Sequence, residues 1–318
     1  MTGFNISRLR TALAVAGMAI LMAACGMKDE TPADTPTSGN IKISVDESFQ
    51  PIIDTQLSTF HSLYKYATIK AAYKPEGEVI KELLNDSIRI AILSRDLTPD
   101  EKAVFEKKKL IPRVTKIAID AVALVVNNQN PDTLLTVDQL KAIFSGKVNS
   151  WSALNPKNNL KDITVVFDNN NSSTARFIRD SVLVNQPVKP GTYATNSHTE
   201  LIDYVAKNEK ALGVIGVNWV SDFDDTTAVG FLKKVKVVGI STETDPETTE
   251  SYYQPYQAYI AQGTYPLRRY LYIINTEGRA GLGTGFASFV AGDKGQRIIL
   301  KSGLVPATMP IRVVGFRE

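Results

Sequence analysis

Short apolar runs rich in β-branched residues alternate with segments of helical period along most of this chain. Residues 41–45 (Ile41-Lys42-Ile43-Ser44-Val45) predict a strand. Residues 51–64 predict a helix with Ile52, Ile53, Leu57 and Phe60 on one face. A strand over 67–73 follows, then a helix over 78–85 with Val79, Ile80, Leu83 and Leu84 inward, then a strand over 88–93. This βαβαβ order predicts an α/β unit with a parallel sheet.

Residues 117–126 (IAIDAVALVV) form a nearly continuous apolar run, as expected of a strand buried on both faces. A second unit follows, with helices over 137–144, 175–183 and 199–208 and strands over 163–167 and 213–217. The acidic, Thr-rich stretch 241–251 reads as a loop. Residues 256–260 and 270–274 read as strands, and 285–301 as one last helix stopped by Ser302-Gly303.

The N-terminal pattern is different. Arg8 and Arg10 precede an apolar segment over 11–24 that ends in Met22-Ala23-Ala24-Cys25, and Cys25 is the only cysteine. A positive start, a short apolar core and small residues at the end describe a secretory signal peptide over 1–24. The apolar segment spans roughly 21 Å as a helix, short of a hydrocarbon core of about 30 Å. Cysteine at the first mature position resembles the bacterial lipobox, with Met22 and Leu21 in place of its usual leucine. That resemblance implies lipidation of Cys25; a plain signal peptide with an incidental cysteine is the alternative. A mature chain with one cysteine holds no internal disulfide. Two or more acyl chains anchor a protein stably where one does not.

Residues 25–40 are polar and read as a lipidated cysteine with a flexible tether. Lys28-Asp29-Glu30 resembles a signal that carries lipoproteins to the outer face of an outer membrane; a solvated start to the tether is the other reading. Loss of 1–24 removes Arg8 and Arg10 and no acid, taking the formal net charge from +3 to +1. A near-neutral chain offers no footprint for nucleic acid. The 278 residues from 41 on suffice for one large or two ordinary domains.

Three turns ahead of helices could hold an anion: Asp46-Glu47-Ser48-Phe49-Gln50-Pro51, Pro75-Glu76-Gly77-Glu78, and Asn169-Asn170-Asn171-Ser172-Ser173-Thr174. Free backbone N–H groups and the positive end of a helix dipole favour anions there, although Ser, Thr and Asn at helix starts are commonly just caps. Gly77 would allow close backbone approach. Other chemistry is thin. The two histidines, His61 and His198, read as surface or packed residues on helices, with no His/Cys cluster for a metal. Neither a Walker pattern nor a strand-linked GxGxxG occurs, and Gly281 to Gly285 reads as the opening of the last helix. No nucleophile–base pair supports an enzyme acting on a phosphorylated substrate.

Several segments together resemble the phosphate-binding-like periplasmic binding proteins that serve bacterial ABC phosphate transporters. The resemblance covers about residues 40–310. It rests on 117–131, on Ile143-Phe144-Ser145-Gly146-Lys147 with Trp151, on Gly213-Val214-Ile215-Gly216, on 263–272 (GTYPLRRYLY), and on Gly295-Gln296 and Gly303-Leu304-Val305-Pro306. It implies a two-lobed type 2 periplasmic-binding-protein fold of α/β class, with a hinge and an interlobe ligand cleft. Lobe one would be 41–120 plus 260–318 and lobe two 121–259. It further implies a monomer without cofactor or metal that binds inorganic phosphate and passes it to an inner-membrane ABC permease. The setting would be the cell envelope, periplasmic or on the outer-membrane surface.

Carried over residue by residue, the resemblance makes Ser48 and Phe49, Ser94, and Ser172, Ser173 and Thr174 the phosphate ligands. There are departures. Glu76, beside Gly77, stands where the second loop has a serine, and Ser173 stands where the fourth loop has a glycine. The arginine ahead of that loop is missing, with Phe167 and Asp168 in its neighbourhood, so Arg95 or Arg176 would supply the charge. A carboxylate near the ligand can accept a proton from phosphate that sulfate lacks, but Glu47, Glu76, Glu78 and Asp96 cannot all face it. A related binding lipoprotein with another ligand or a signalling role is the alternative.

Overall fold

A computed structural model of the protein describes residues 34–184, 186–189 and 191–309. The signal segment, Cys25 and Lys28-Asp29-Glu30 lie outside the described residues. Twelve strands are described: β1 Gly39–Asp46, β2 Ala67–Lys74, β3 Ile90–Leu93, β4 Arg113–Asn127, β5 Leu134–Thr136, β6 Thr164–Phe167, β7 Tyr193–Ala194, β8 Ala211–Gly216, β9 Val235–Val237, β10 Gly239–Ser241, β11 Arg268–Asn275 and β12 Val305–Pro306. The main sheet runs β2-β1-β3-β11-β4-β8-β6-β7, with β9 and β12 also on β4.

The sheet is mixed, not wholly parallel. β1 lies parallel to β2 and β3, and β6 parallel to β7 and β8, as βαβ connections require. Between these two parallel groups stand β11 and β4, antiparallel to each other and to their outer neighbours. β4 is the joint. Its residues up to Ala121 pair with β11, and those from Val122 on pair with β8 and β9. Every residue from Ala121 to Val126 is fully buried, which is why this strand reads as an unbroken apolar run. A second, smaller cluster (Val79, Ile80, Leu83, Leu93 and Phe105 among it) lies under the helices Glu76–Leu84 and Pro99–Lys107.

Some expected elements differ. Residues 256–260 are helical, within Gln257–Gln262. In a five-residue window Tyr256, Ala258 and Ile260 fit a period of two, while Tyr256 and Ile260 equally fit one helical turn. The last helix is two, Leu282–Ala291 and Asp293–Lys301, divided at the extended Gly292. The helix expected over 175–183 begins earlier, at Ser173–Phe177, and widens into a π turn at Ile178–Val182. Helix Pro99–Lys107 has no strong apolar stripe to announce it, burying only Phe105. Helix Thr226–Lys234 is also additional to the expected elements, although Ala228, Phe231 and Leu232 share one face of it.

Residues 34–38, read from sequence as part of the tether, pack against the helix Leu282–Ala291. Gly281 offers that helix no side-chain cap. The Asp34 carboxylate takes its place, accepting from the Leu282 N–H (2.9 Å) and from Arg279 (3.2 Å). Glu277 accepts from the next two N–H groups, of Gly283 and Thr284. The Pro36 carbonyl passes so close to Gly285 that a Cβ there would stand 1.8 Å from it. Asp34→Ala is therefore expected to cost about 1 kcal/mol, as loss of a helix cap does, read as a lower urea midpoint at unchanged m-value.

Candidate anion-binding site

The antiparallel register of β11 and β4 sets Arg269 opposite Asp120. Both are buried, and Arg269 Nε donates to Asp120 Oδ2 at 2.7 Å. Arg269 Nη1 donates to Ser173 Oγ at 2.9 Å, and Ser173 Oγ lies 3.1 Å from Ser48 Oγ. The guanidinium stands 4.9 Å over the Phe49 ring, a cation–π contact in a dry setting. Its Nη2 has no hydrogen-bond partner among the described residues. That nitrogen fits because residue 216 is glycine: a Cβ would approach it to 2.9 Å.

Ser48 is held by its own turn. Its N–H donates to Asp46 Oδ1 (3.1 Å), and Asn218 Nδ2 donates to its carbonyl (3.1 Å). Asp46 Oδ2 is buried without a partner among the described residues. Ser48 and Asp46 follow β1, Arg269 and Asp120 flank the joint, and Ser173 opens the helix after β6. Side chains from both parallel groups of the sheet thus converge at β4.

A second cluster adjoins the first. Glu76, 3 % exposed, accepts from Arg176 Nε (2.5 Å) and Nη2 (3.2 Å), from Arg95 Nε (3.2 Å) and from Ser94 Oγ (2.7 Å). Arg176 Nη2 also donates to Ser94 Oγ at 2.7 Å. Arg95 is shared with Glu101, which it grips with two 2.7 Å bonds.

Burial sets the charge states, with neighbours adjusting them. Burial, aided by the charge of Glu76 and opposed by Arg269, pushes Asp46 up to about 7. Burial, with Asp168, Asp46 and Glu78 adding to it, raises Glu47 to about 7 as well. Burial also acts to raise Glu76, but Arg176, Ser94 and Arg95 together hold it below the usual carboxylate range. His198 is lowered by burial, so it is neutral near pH 7. It stacks on Trp219 at 4.4 Å, with Nε2 3.3 Å from Asp168 Oδ2 in poor alignment for a hydrogen bond.

Of the residues expected from sequence, Ser48, Phe49 and Ser173 come together, and Glu76, Ser94, Arg95 and Arg176 form the adjoining cluster. Ser172 and Thr174 take other partners. Ser172 Oγ caps the Ala175 N–H and lies 2.8 Å from Thr174 Oγ1, which donates to Asp168 Oδ1 at 2.6 Å. Gly77 is exposed and no atom lies within 4 Å of where its Cβ would be, so packing does not require a glycine there. Asp96 faces away, onto the Leu97 N–H and Lys102. The expected replacements for the missing arginine, Arg95 and Arg176, are both engaged by acids. Among the described residues at the joint, the guanidinium with a buried N–H that lacks a partner is that of Arg269, which stands in the sequence only within the 263–272 motif. Asp46 likewise stands in the sequence only as part of a turn. One signal was available: Asp120 is the single charge in an apolar run, and a buried charge demands a partner.

A sheet divided at one shared strand, with polar side chains from both parts meeting at that joint, defines a two-lobed binding-protein fold with an interlobe cleft. The profile described as PBP superfamily domain matches residues 30–294, and the chain belongs to that family. Relatives called Phosphate-binding protein PstS include those of Staphylococcus saprophyticus, 28 % identical over 284 residues (88 % of this chain, 84 % of the relative), and Staphylococcus aureus, 28 % identical over 286 residues (88 % and 82 %). Among solved structures, a Clostridium perfringens protein with bound phosphate superposes with a TM-score of 0.70 at 22 % identity, covering 85 % of this chain and all of that one. An ABC-type phosphate transport receptor from Vibrio cholerae gives 0.64 at 24 % identity, covering 84 % and 100 %. At these identities the superpositions establish the fold. Among the described residues no helix is long and apolar enough to cross a membrane.

Proposed function

We propose that this protein captures inorganic phosphate between two lobes, 41–120 with 260–318 and 121–259, and passes it to an inner-membrane ABC permease. One observation carries this reading. At the joint, a buried guanidinium with a free N–H and a buried carboxyl with a free oxygen flank two hydroxyls from opposite sides of the cleft. A free donor beside a free acceptor suits an oxyanion that still carries a proton. The names of the relatives support the same ligand.

Ser48 Oγ and Ser173 Oγ stand too close, at 3.1 Å, for a tetrahedral anion to sit between them. Phosphate therefore enters by parting of the lobes and is enclosed as they close. The protein works as a monomeric receptor, with no catalytic step, in the cell envelope. An acylated Cys25 would tether it to the membrane and raise its concentration at the permease.

Calorimetric titration of ligand-stripped protein tests this. We expect 1:1 binding with a micromolar or lower Kd, about −8 kcal/mol or more. Absence of heat up to millimolar phosphate removes the reading.

A further inference from the structure

We propose that Glu76 is a specificity-determining residue of this cleft. Its carboxylate is a resident anion, held by Arg176, Arg95 and Ser94, that uses up cationic charge an anionic ligand would otherwise meet. It also ties the two sides of the cleft together while no ligand is bound. The inference rests on the phosphate reading for its ligand and on geometry for its tie.

The geometry is specific. A carboxylate has about four lone-pair sites, and four donor atoms reach Glu76: Oε1 takes Arg176 Nε and Arg95 Nε, and Oε2 takes Ser94 Oγ and Arg176 Nη2. These are the donor types, guanidinium and hydroxyl, that a phosphate oxygen would recruit. Glu76, Ser94 and Arg95 follow strands of the β1 side, whereas Arg176 lies on the helix after β6. The ion pair therefore spans the cleft.

Ser173 and Arg176 share the short helix Ser173–Phe177. Ser173 meets Ser48 across the cleft, and Arg176 meets Glu76 across it. Moving this helix back far enough to seat an anion between Ser48 and Ser173 must also stretch the Arg176–Glu76 contact. Ligand entry and release of Glu76 are thus one motion. Charge points the same way. Arg269 is matched by Asp120, and Arg176 and Arg95 by Glu76 and Glu101, so a phosphate dianion meets three arginines whose charges are already balanced. A Glu76 that served only to stabilise the fold would not affect phosphate binding in this direction.

The test uses Glu76→Gln, with Glu76→Ser as a second, shorter variant should the first fold poorly. Phosphate is titrated calorimetrically into both and into wild type, and small-angle scattering is recorded on the ligand-stripped proteins. We expect at least about tenfold tighter phosphate binding in the variants, since a tie of 1.4 kcal/mol or more is no longer broken on entry. We also expect a larger radius of gyration without ligand, returning to the wild-type value with phosphate. Unchanged or weaker phosphate binding in both variants overturns the proposal. If no form binds phosphate, the functional reading of the cleft fails. Scattering then decides the tie alone: expansion of the variants upholds it, and identical curves overturn it.

Discussion

Arg269→Met is expected to abolish measurable phosphate binding and to lower folding stability by about 3–5 kcal/mol. The two effects have separate causes. Stability falls because Asp120 is fully buried and Arg269 is its ion-pair partner. Removing one member of such a pair leaves a charge in a dry site, and the penalty is that of the abandoned ion. Asp120 already sits above its ordinary range through burial, with Arg269 as the first influence opposing that rise. Binding falls because Nη1 orients Ser173 and Nη2 is the free donor at the joint. Charge-assisted hydrogen bonds contribute about 1.5–3 kcal/mol each, so losing two removes a large part of a micromolar affinity. The double variant Arg269→Met/Asp120→Asn separates the causes: with no orphan charge it should regain most of the urea midpoint and none of the phosphate heat. Arg269→Lys keeps the charge but loses the fork that spans Asp120 and Ser173, and should bind weakly. Wild-type phosphate affinity in the single methionine variant would remove Arg269 from the site.

The same residue shows how much of the site the sequence could disclose. The first βαβαβ unit, the apolar run of β4 and the hydroxyl-bearing turns were legible because periodicity and capping are local signals. Arg269 was not, because its role depends on three distant facts: the β11 register that sets it against Asp120, the missing side chain at Gly216, and Ser173 arriving from the other side of the cleft. Glu76 was legible as an anomaly but not as a clasp, since its main partner lies 100 residues further on. The hydroxyls of Ser172 and Thr174 show the opposite case. In a turn that begins a helix, their nearest unmet donors and acceptors are those of the turn itself, and these won. The misread segment at 256–260 is a local ambiguity of period that only packing resolves.

Phosphate binding should tighten by about tenfold or more as the pH is lowered from about 8 to about 6. Asp46 and Glu47 are both raised to about 7, so within this window each passes from carboxylate to neutral acid on acidification. Asp46 Oδ2 is a buried acceptor without a partner among the described residues, as is Asp120 Oδ1. A complex of neutral Asp46 with the phosphate dianion has the same proton count as ionised Asp46 with the monoanion. The two share one proton and titrate as a unit. Below pH 7 that proton is available from either partner. Above it, binding must take up a proton or accept an added negative charge, so calorimetry at about pH 8 in buffers of different ionisation enthalpy should report proton uptake. Sulfate brings no proton and can bind only where Asp46 supplies one, so preference for phosphate over sulfate should widen as the pH rises. Ligand-free stability follows with a definite sign. The unfolded chain ionises these acids near 4 while the folded chain holds them neutral to about 7. Stability therefore falls as the pH climbs through that interval and levels off above it. Asp46→Asn should flatten much of both profiles. Glu76→Gln should move the Asp46 inflection to lower pH, because the Glu76 charge is the chief neighbour raising it. A phosphate affinity that stays constant across this range, with no proton uptake, would mean that Asp46 does not face the ligand.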